Sequence, residues 1–172
     1  MKKIILMGYM GVGKSTIAQL LSKKIHLKFV DIDQLIEQET NLSTREIFEK
    51  KGEIYFRKIE HKIFKENIEN KEDLIISTGG GTPCYANNHL LLINKNVISI
   101  HLQASIDVVF ERLKLEKNKR PLLVNLSDQE LKEFIAKHLF ERNYFYNTAT
   151  FTIVTDNKNP ELIVKEIIKL LN

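Results

Sequence analysis

Cysteine occurs once in the 172 residues, as Cys84, so the chain can form no internal disulfide and fits a reducing compartment. Proline occurs three times, and no Ser- or Gly-rich stretch or shift in composition offers a linker. One globular domain over residues 1–172 is the expectation. Long hydrophobic runs are missing as well. The first apolar run, Ile4 to Met7, is ended by Gly8, far too early for a signal peptide or a membrane span, so a cytoplasmic protein without membrane contact is expected. A basic stripe is also lacking: 26 Lys and Arg are spread among 22 Asp and Glu for a net charge of +4. That argues against a nucleic-acid partner and fits small anionic substrates equally well. The five histidines, His26, His61, His89, His101 and His138, show no metal-site spacing among themselves or with Cys84, and each is read as an ordinary surface or core residue. A monomer is the expectation.

What is present is an alternation of short apolar runs with longer segments of helical period, the pattern of βα units stacked into a parallel sheet. The expected strands are Lys3 to Met7, Lys28 to Val30, Leu74 to Ser77, Val97 to His101 and Phe151 to Val154. A first helix is expected from Lys14 to Ile25, with Ile17, Leu20, Leu21 and Ile25 on one face, and a last one after Pro160, with Val164, Ile167, Ile168 and Leu171. Ser43-x-x-Glu46 and Ser127-x-x-Glu130 read as capping boxes that open two further helices.

Gly8-Tyr9-Met10-Gly11-Val12-Gly13-Lys14-Ser15 matches G-x-x-x-x-G-K-[ST] and lies between the first strand and the first helix, where the mechanism of that motif needs it. Its glycines let backbone N–H groups curl inward, and the helix that follows turns the positive end of its dipole to a phosphate. The bland alternative, a Gly-rich turn, does not account for the strand and helix flanks. Gly11, Val12, Gly13, Lys14, Ser15 and Thr16 are therefore candidate nucleotide-binding residues, Lys14 as a charge on the β- and γ-phosphates and Ser15 as a hydroxyl for Mg²⁺.

Asp31-Ile32-Asp33 places two carboxylates at the carboxyl end of the second strand, the edge at which open α/β sheets build their sites. A kinase acting on a hydroxyl needs Mg²⁺ held near the phosphates and a group that takes or orients the hydroxyl proton, and two acids can divide those tasks. The competing reading is that Asp33 caps the helix carrying Leu35 and Ile36.

With these motifs, the chain resembles the shikimate kinases over nearly its whole length. The resemblance is carried by the loop at 8–15, the Asp31-x-Asp33 pair, Arg57, the triplet Gly79-Gly80-Gly81, the run Arg120-Pro121-Leu122-Leu123, and Arg142 with Tyr146, all in family order. It implies a P-loop NTPase fold and Mg²⁺-dependent transfer of the γ-phosphoryl of ATP to the 3-hydroxyl of shikimate. It also implies that Asp33 contacts the reacting hydroxyl and that Asp31 lies near the metal. Arg57 and Arg142 would grip the substrate carboxylate beside Gly79, Gly80 and Gly81. Arg120 would reach the transferring phosphate from a lid near 114–126, a substrate lobe would occupy about 33–61, and Arg112 and Asn159-Pro160 would border the base. Tyr144 stands where many relatives carry proline.

These assignments make physical sense on the residues themselves. Two planar, permanently charged guanidinium groups converging on a carboxylate orient a small ring. Arg142 follows Ile135 by seven residues on a helix whose stripe is Leu131, Phe134, Ile135, His138 and Leu139, so it should point inward. Arg57 could equally pair with Glu53 and Glu60 on a helix surface, and if it binds substrate, Glu60 holds it in place. Three successive glycines remove every side chain where something must approach the backbone. The basic segment Lys114 to Lys119 reads either as part of a lid or as a solvated charge run. Two rivals stay open at this point: a P-loop kinase of gluconate or of a nucleoside monophosphate, and an inactive nucleotide-binding switch.

Overall fold

A computed structural model describes residues 2–117 and 123–171. Arg120, Pro121 and Leu122, with Asn118 and Lys119 of the expected lid, lie outside the described residues. Five strands, β1 (Lys3–Met7), β2 (Lys28–Asp31), β3 (Leu74–Ser77), β4 (Val97–Gln103) and β5 (Phe151–Val154), form one sheet in the order β2-β3-β1-β4-β5, with every pair parallel. The expected five-stranded α/β architecture is the one that forms. β1 is central and buried along its whole length, which is why it reads as a continuous apolar run rather than an alternating one. In register, Ile4 faces Ile75 on one side and Ile98 on the other.

Helices cover the sheet: α1 (Lys14–Ile25), α2 (Ile32–Thr40), α3 (Thr44–Glu69), the short α4 (Asn88–Leu91), α5 (Ile106–Glu116), α6 (Asp128–Tyr146) and α7 (Pro160–Leu171). α1 packs on α7, α2 on α3, and α5 on α6. Both capping boxes are in place. Ser43 Oγ accepts from Glu46 N at the start of α3 and Ser127 Oγ accepts from Glu130 N at the start of α6, and each glutamate accepts in return from the serine backbone N–H. α3 is interrupted at Gly52, whose φ of 80° and ψ of 169° belong to a region that only glycine adopts readily.

The structure changes two expectations. β4 continues to Gln103, two residues beyond His101, because Leu102 and Gln103 pair with Ile153 and Val154 of β5. β2 includes Asp31, and it is Asp31, not Asp33, that caps α2, accepting from Asp33 N at 3.1 Å and Gln34 N at 3.4 Å through Oδ1. Asp33 is thereby left in the first turn, its carboxylate uncommitted to the cap. The winding of the chain reverses at β1, so the loops leaving β1, β2 and β3 open a crevice at the carboxyl edge of the sheet. Among the described residues no helix is long and apolar enough to cross a membrane.

Candidate active site

The crevice holds a cleft of about 450 Å³ whose lining includes Lys14, Asp33, Arg57, Glu60 and Arg142 together with all three glycines of the triplet. Gly13 precedes α1 with a φ of 95° and no side-chain cap, so the first N–H groups of that helix face outward with no serine or aspartate on them. A Cβ built on Gly13 meets nothing within 4 Å, so it is the backbone conformation, not space, that calls for glycine there. Lys14 lies along the loop and donates from Nζ to Tyr9 O at 2.9 Å. Ser15 and Thr16 also line the cleft, whereas the side chain of Val12 is buried in the core. Arg112, on α5, does not line it but donates from Nη1 to Gly11 O at 3.1 Å and so braces the loop.

Ser15 Oγ donates to Asp31 Oδ2 at 2.6 Å and lies 3.3 Å from Ser77 Oγ. Hydroxyl and carboxylate oxygens are the hard donors that Mg²⁺ takes, usually one or two from protein with phosphates and water completing the shell, so this set fits that ion. Among the described residues no group of three or more His, Cys, Asp or Glu could hold a metal without such help.

Asp33 is open to water on the cleft side yet has protein around it on the others. Burial, then the neighbouring charges of Asp31 and Glu60, push its carboxyl up to about 6 against the opposing pull of Lys14 and Arg57. A group titrating there can accept a proton near neutral pH.

Arg57 is clasped on two edges: Nη1 donates to Glu60 Oε2 at 2.8 Å and Nε to Glu53 Oε1 at 3.3 Å. Pairing with both glutamates and facing the cleft therefore coexist. Glu60 is fully buried and also accepts from Thr82 Oγ1 at 2.7 Å through Oε1, so each of its oxygens has a donor. Arg142 reaches the cleft from α6 with its guanidinium carbon 5.4 Å from the Tyr9 ring centre. Tyr146 donates to Gly80 O at 2.6 Å and ties the end of α6 to the triplet. Tyr144, where the resemblance puts proline in many relatives, is 71% exposed and lies within α6, which runs on to Tyr146.

Six of the seven glycines of the chain lie in the phosphate loop and the triplet. The triplet is needed for space. A Cβ on Gly79 would sit 2.9 Å from both Asp33 Oδ1 and Glu60 Oε1, one on Gly80 3.2 Å from Met10 N, and one on Gly81 2.8 Å from Arg57 Nη2. The loop thus packs its bare backbone against the acid, the phosphate loop and the arginine in turn.

Some candidates take other duties. Asn159 Oδ1 accepts from Leu162 N at 2.9 Å at the start of α7, and neither it nor Pro160 lines the cleft. Burial pushes the Cys84 thiol up to about 11, keeping it protonated and unreactive. His101 is held neutral, its pKa lowered to about 4 by burial and by Lys14, and it stacks on Tyr146 with ring centres 4.9 Å apart. The sequence did not single out the outer wall, Thr44, Phe48 and Phe56 of α3, where the two phenyl rings lie 4.7 Å apart. The available signal was Glu60 itself, a charge set in the buried helical stripe of Phe56, Ile63 and Phe64.

A family model described as shikimate kinase matches residues 10–172. A shikimate kinase of Flavobacterium psychrophilum is 55% identical over 171 residues, covering 99% of each chain. Among solved structures, shikimate kinase from Bacteroides thetaiotaomicron superposes with a TM-score of 0.90 at 34% identity, over 99% of this chain and 98% of the other. Shikimate kinase from Acinetobacter baumannii in complex with shikimate does so with a TM-score of 0.89 at 30% identity, over 99% and 93%.

Proposed function

The chain belongs to the shikimate kinase family and phosphorylates the 3-hydroxyl of shikimate with ATP, and from that premise we propose how its side chains divide the work. The observation that carries the reading is the convergence of Asp33, Arg57, Arg142 and the glycine triplet on one cleft whose other wall is the phosphate loop. The shikimate carboxylate lies between the Arg57 and Arg142 guanidinium groups, which orient the ring by charge-assisted hydrogen bonds. Its 3-hydroxyl then faces Asp33, which accepts the proton as the oxygen attacks in line.

The N–H groups at the start of α1 and the Lys14 ammonium hold the β- and γ-phosphates of ATP. Ser15 and Asp31 hold Mg²⁺, which when bound neutralises phosphate charge. Asp31 is fixed for that duty by its cap on α2, and Ser15 by its bond to Asp31. To Arg120, outside the described residues, we assign a further guanidinium contact with the transferring group, and to the segment 114–126 the part of a lid. Residues 33–61 act as the substrate lobe. Positioning and charge neutralisation account for the catalysis. The enzyme works as a cytoplasmic monomer.

The test is ADP release by the purified protein with Mg²⁺ and ATP, with and without shikimate, repeated for Asp33→Asn, Arg57→Ala and Arg142→Ala. Strong dependence on shikimate, lost in kcat for Asp33→Asn and in shikimate KM for the two arginine variants, is the expected result. An arginine variant that impairs only the use of ATP would overturn the carboxylate clamp.

A further inference from the structure

Tyr85 closes the 3₁₀ turn Thr82–Cys84 that follows the glycine triplet, and its ring centre is 4.1 Å from the guanidinium carbon of Arg57. That is well inside the range at which an aromatic face attracts a cation. The ring is 38% exposed, so filling the core is not its main task. Glu53, the carboxylate that accepts from Arg57 Nε, lines the same shallow hollow as Tyr85 and Arg57.

The turn that carries Tyr85 is pinned from below. Thr82 Oγ1 donates to Glu60, Asn88 Nδ2 donates to Thr82 O at 2.8 Å, and Asn88 Oδ1 lies 2.6 Å from His61 Nδ1. Glu60 is therefore shared between the turn and Arg57, and the aromatic ring is referenced to the same buried carboxylate as the guanidinium it covers.

We propose that Tyr85 is a positioning residue that fixes the plane of the Arg57 guanidinium for the substrate carboxylate. Two carboxylates bonded at the edges of a planar guanidinium, Glu60 at Nη1 and Glu53 at Nε, set where the group lies but resist tilting out of its plane only weakly. A ring packed on its face supplies the missing restraint. Bidentate recognition of a carboxylate needs that plane held, because both N–H···O bonds weaken together when the fork tips. This inference rests on the reading that Arg57 grips the carboxylate of shikimate.

The experiment compares Tyr85→Phe and Tyr85→Leu, each alone and with Arg57→Ala, by steady-state kinetics in both substrates, with melting temperatures as the control for folding. Tyr85→Leu should raise the shikimate KM roughly 3- to 10-fold, the size of one such contact, at unchanged kcat and unchanged ATP KM. Tyr85→Phe, which keeps the face, should stay within about twofold of the parent enzyme. In the Arg57→Ala background Tyr85→Leu should add nothing. Tyr85→Met serves equally if the leucine variant is insoluble. A second readout is the ring-current shift of the Arg57 Nε–H resonance, which should be lost in Tyr85→Leu and kept in Tyr85→Phe. If Arg57→Ala raises the shikimate KM while Tyr85→Leu does not, the Tyr85 proposal fails and the Arg57 reading survives. If Arg57→Ala leaves that KM alone, the Arg57 reading fails and takes the proposal with it.

Discussion

A single methyl group at Gly81 should separate shikimate binding from ATP binding. The backbone there has φ of −97° and ψ of −11°, which alanine adopts without strain, so the whole effect of Gly81→Ala is steric. The new Cβ would stand 2.8 Å from Arg57 Nη2 and 2.9 Å from Nη1. Ordinary contact needs about 3.5 Å, so the guanidinium must retreat by about 0.7 Å, out of register with Glu60 and with the ring of Tyr85. Overpacking of this kind costs about 1–3 kcal/mol, and the low end applies because the group that yields is the tip of a side chain. The melting temperature should then fall by about 2–4 °C. The kinetic effect should be larger, because displacement of an orienting group by close to 1 Å can cost as much as about 10²-fold. We expect kcat/KM for shikimate to fall about 10- to 100-fold through KM, with ATP KM unchanged, in a coupled ADP-release assay. Gly79→Ala is the companion variant, since its Cβ presses on Asp33 and Glu60 instead and should lower kcat. A Gly81→Ala enzyme within twofold of the parent in shikimate kcat/KM would refute the close-approach argument.

Other outcomes follow from the same geometry. Asp33→Asn should lower kcat by about 10²–10⁴ at saturating substrates, and an unchanged kcat would remove the base from the mechanism. Because the Asp33 carboxyl is raised to about 6, its reactive ionised form is lost as pH falls through that value. The profile of kcat/KM for shikimate should therefore drop about tenfold per unit below pH 6 and level off above it, and a profile flat down to pH 5 would contradict this. The same shift means that the ionised carboxylate costs the folded state stability at higher pH. Asp33→Asn should thus melt higher than the parent at pH 8 and gain less at pH 5. Arg142→Ala should cost about 2–5 kcal/mol in kcat/KM for shikimate, carried by KM, if its charge pair with the substrate is desolvated. Ser127→Ala removes half of a capping box and should lower stability by about 1 kcal/mol in denaturant titration, and no loss would show the cap to be idle.

Much of this was legible in the chain because its local signals agree with the fold. The apolar run at Lys3 to Met7, the loop that follows it and both capping boxes are each written within a few residues, and each stands where expected. What was not legible depends on residues far apart in sequence. Periodicity alone cannot tell whether Asp31 or Asp33 caps α2, because the answer turns on whether β2 extends one residue further to pair with Ser77. The extension of β4 depends likewise on β5, about fifty residues away. Arg57 posed a choice between two surface glutamates and a ligand only while α3 was treated as an isolated helix. Burying Glu60 under Thr82 makes one side chain serve both ends. Tyr85 carries no sequence pattern at all, since its meaning comes from the ring lying over a residue 28 positions earlier.

The charges around the cleft have a consequence for how substrates arrive. Three cations, Lys14, Arg57 and Arg142, share the lining with three carboxylates, Asp33, Glu60 and Glu116. The described part of the cleft is therefore close to electroneutral, and its field fades within a few ångströms of the rim rather than reaching into solution. The described residues of the lining therefore do little to draw in shikimate and ATP, both anions, from a distance. Both substrates are recognised on contact, so capture rates should change little with ionic strength, whereas the lifetimes of the bound complexes, set by individual short hydrogen bonds, carry the selectivity.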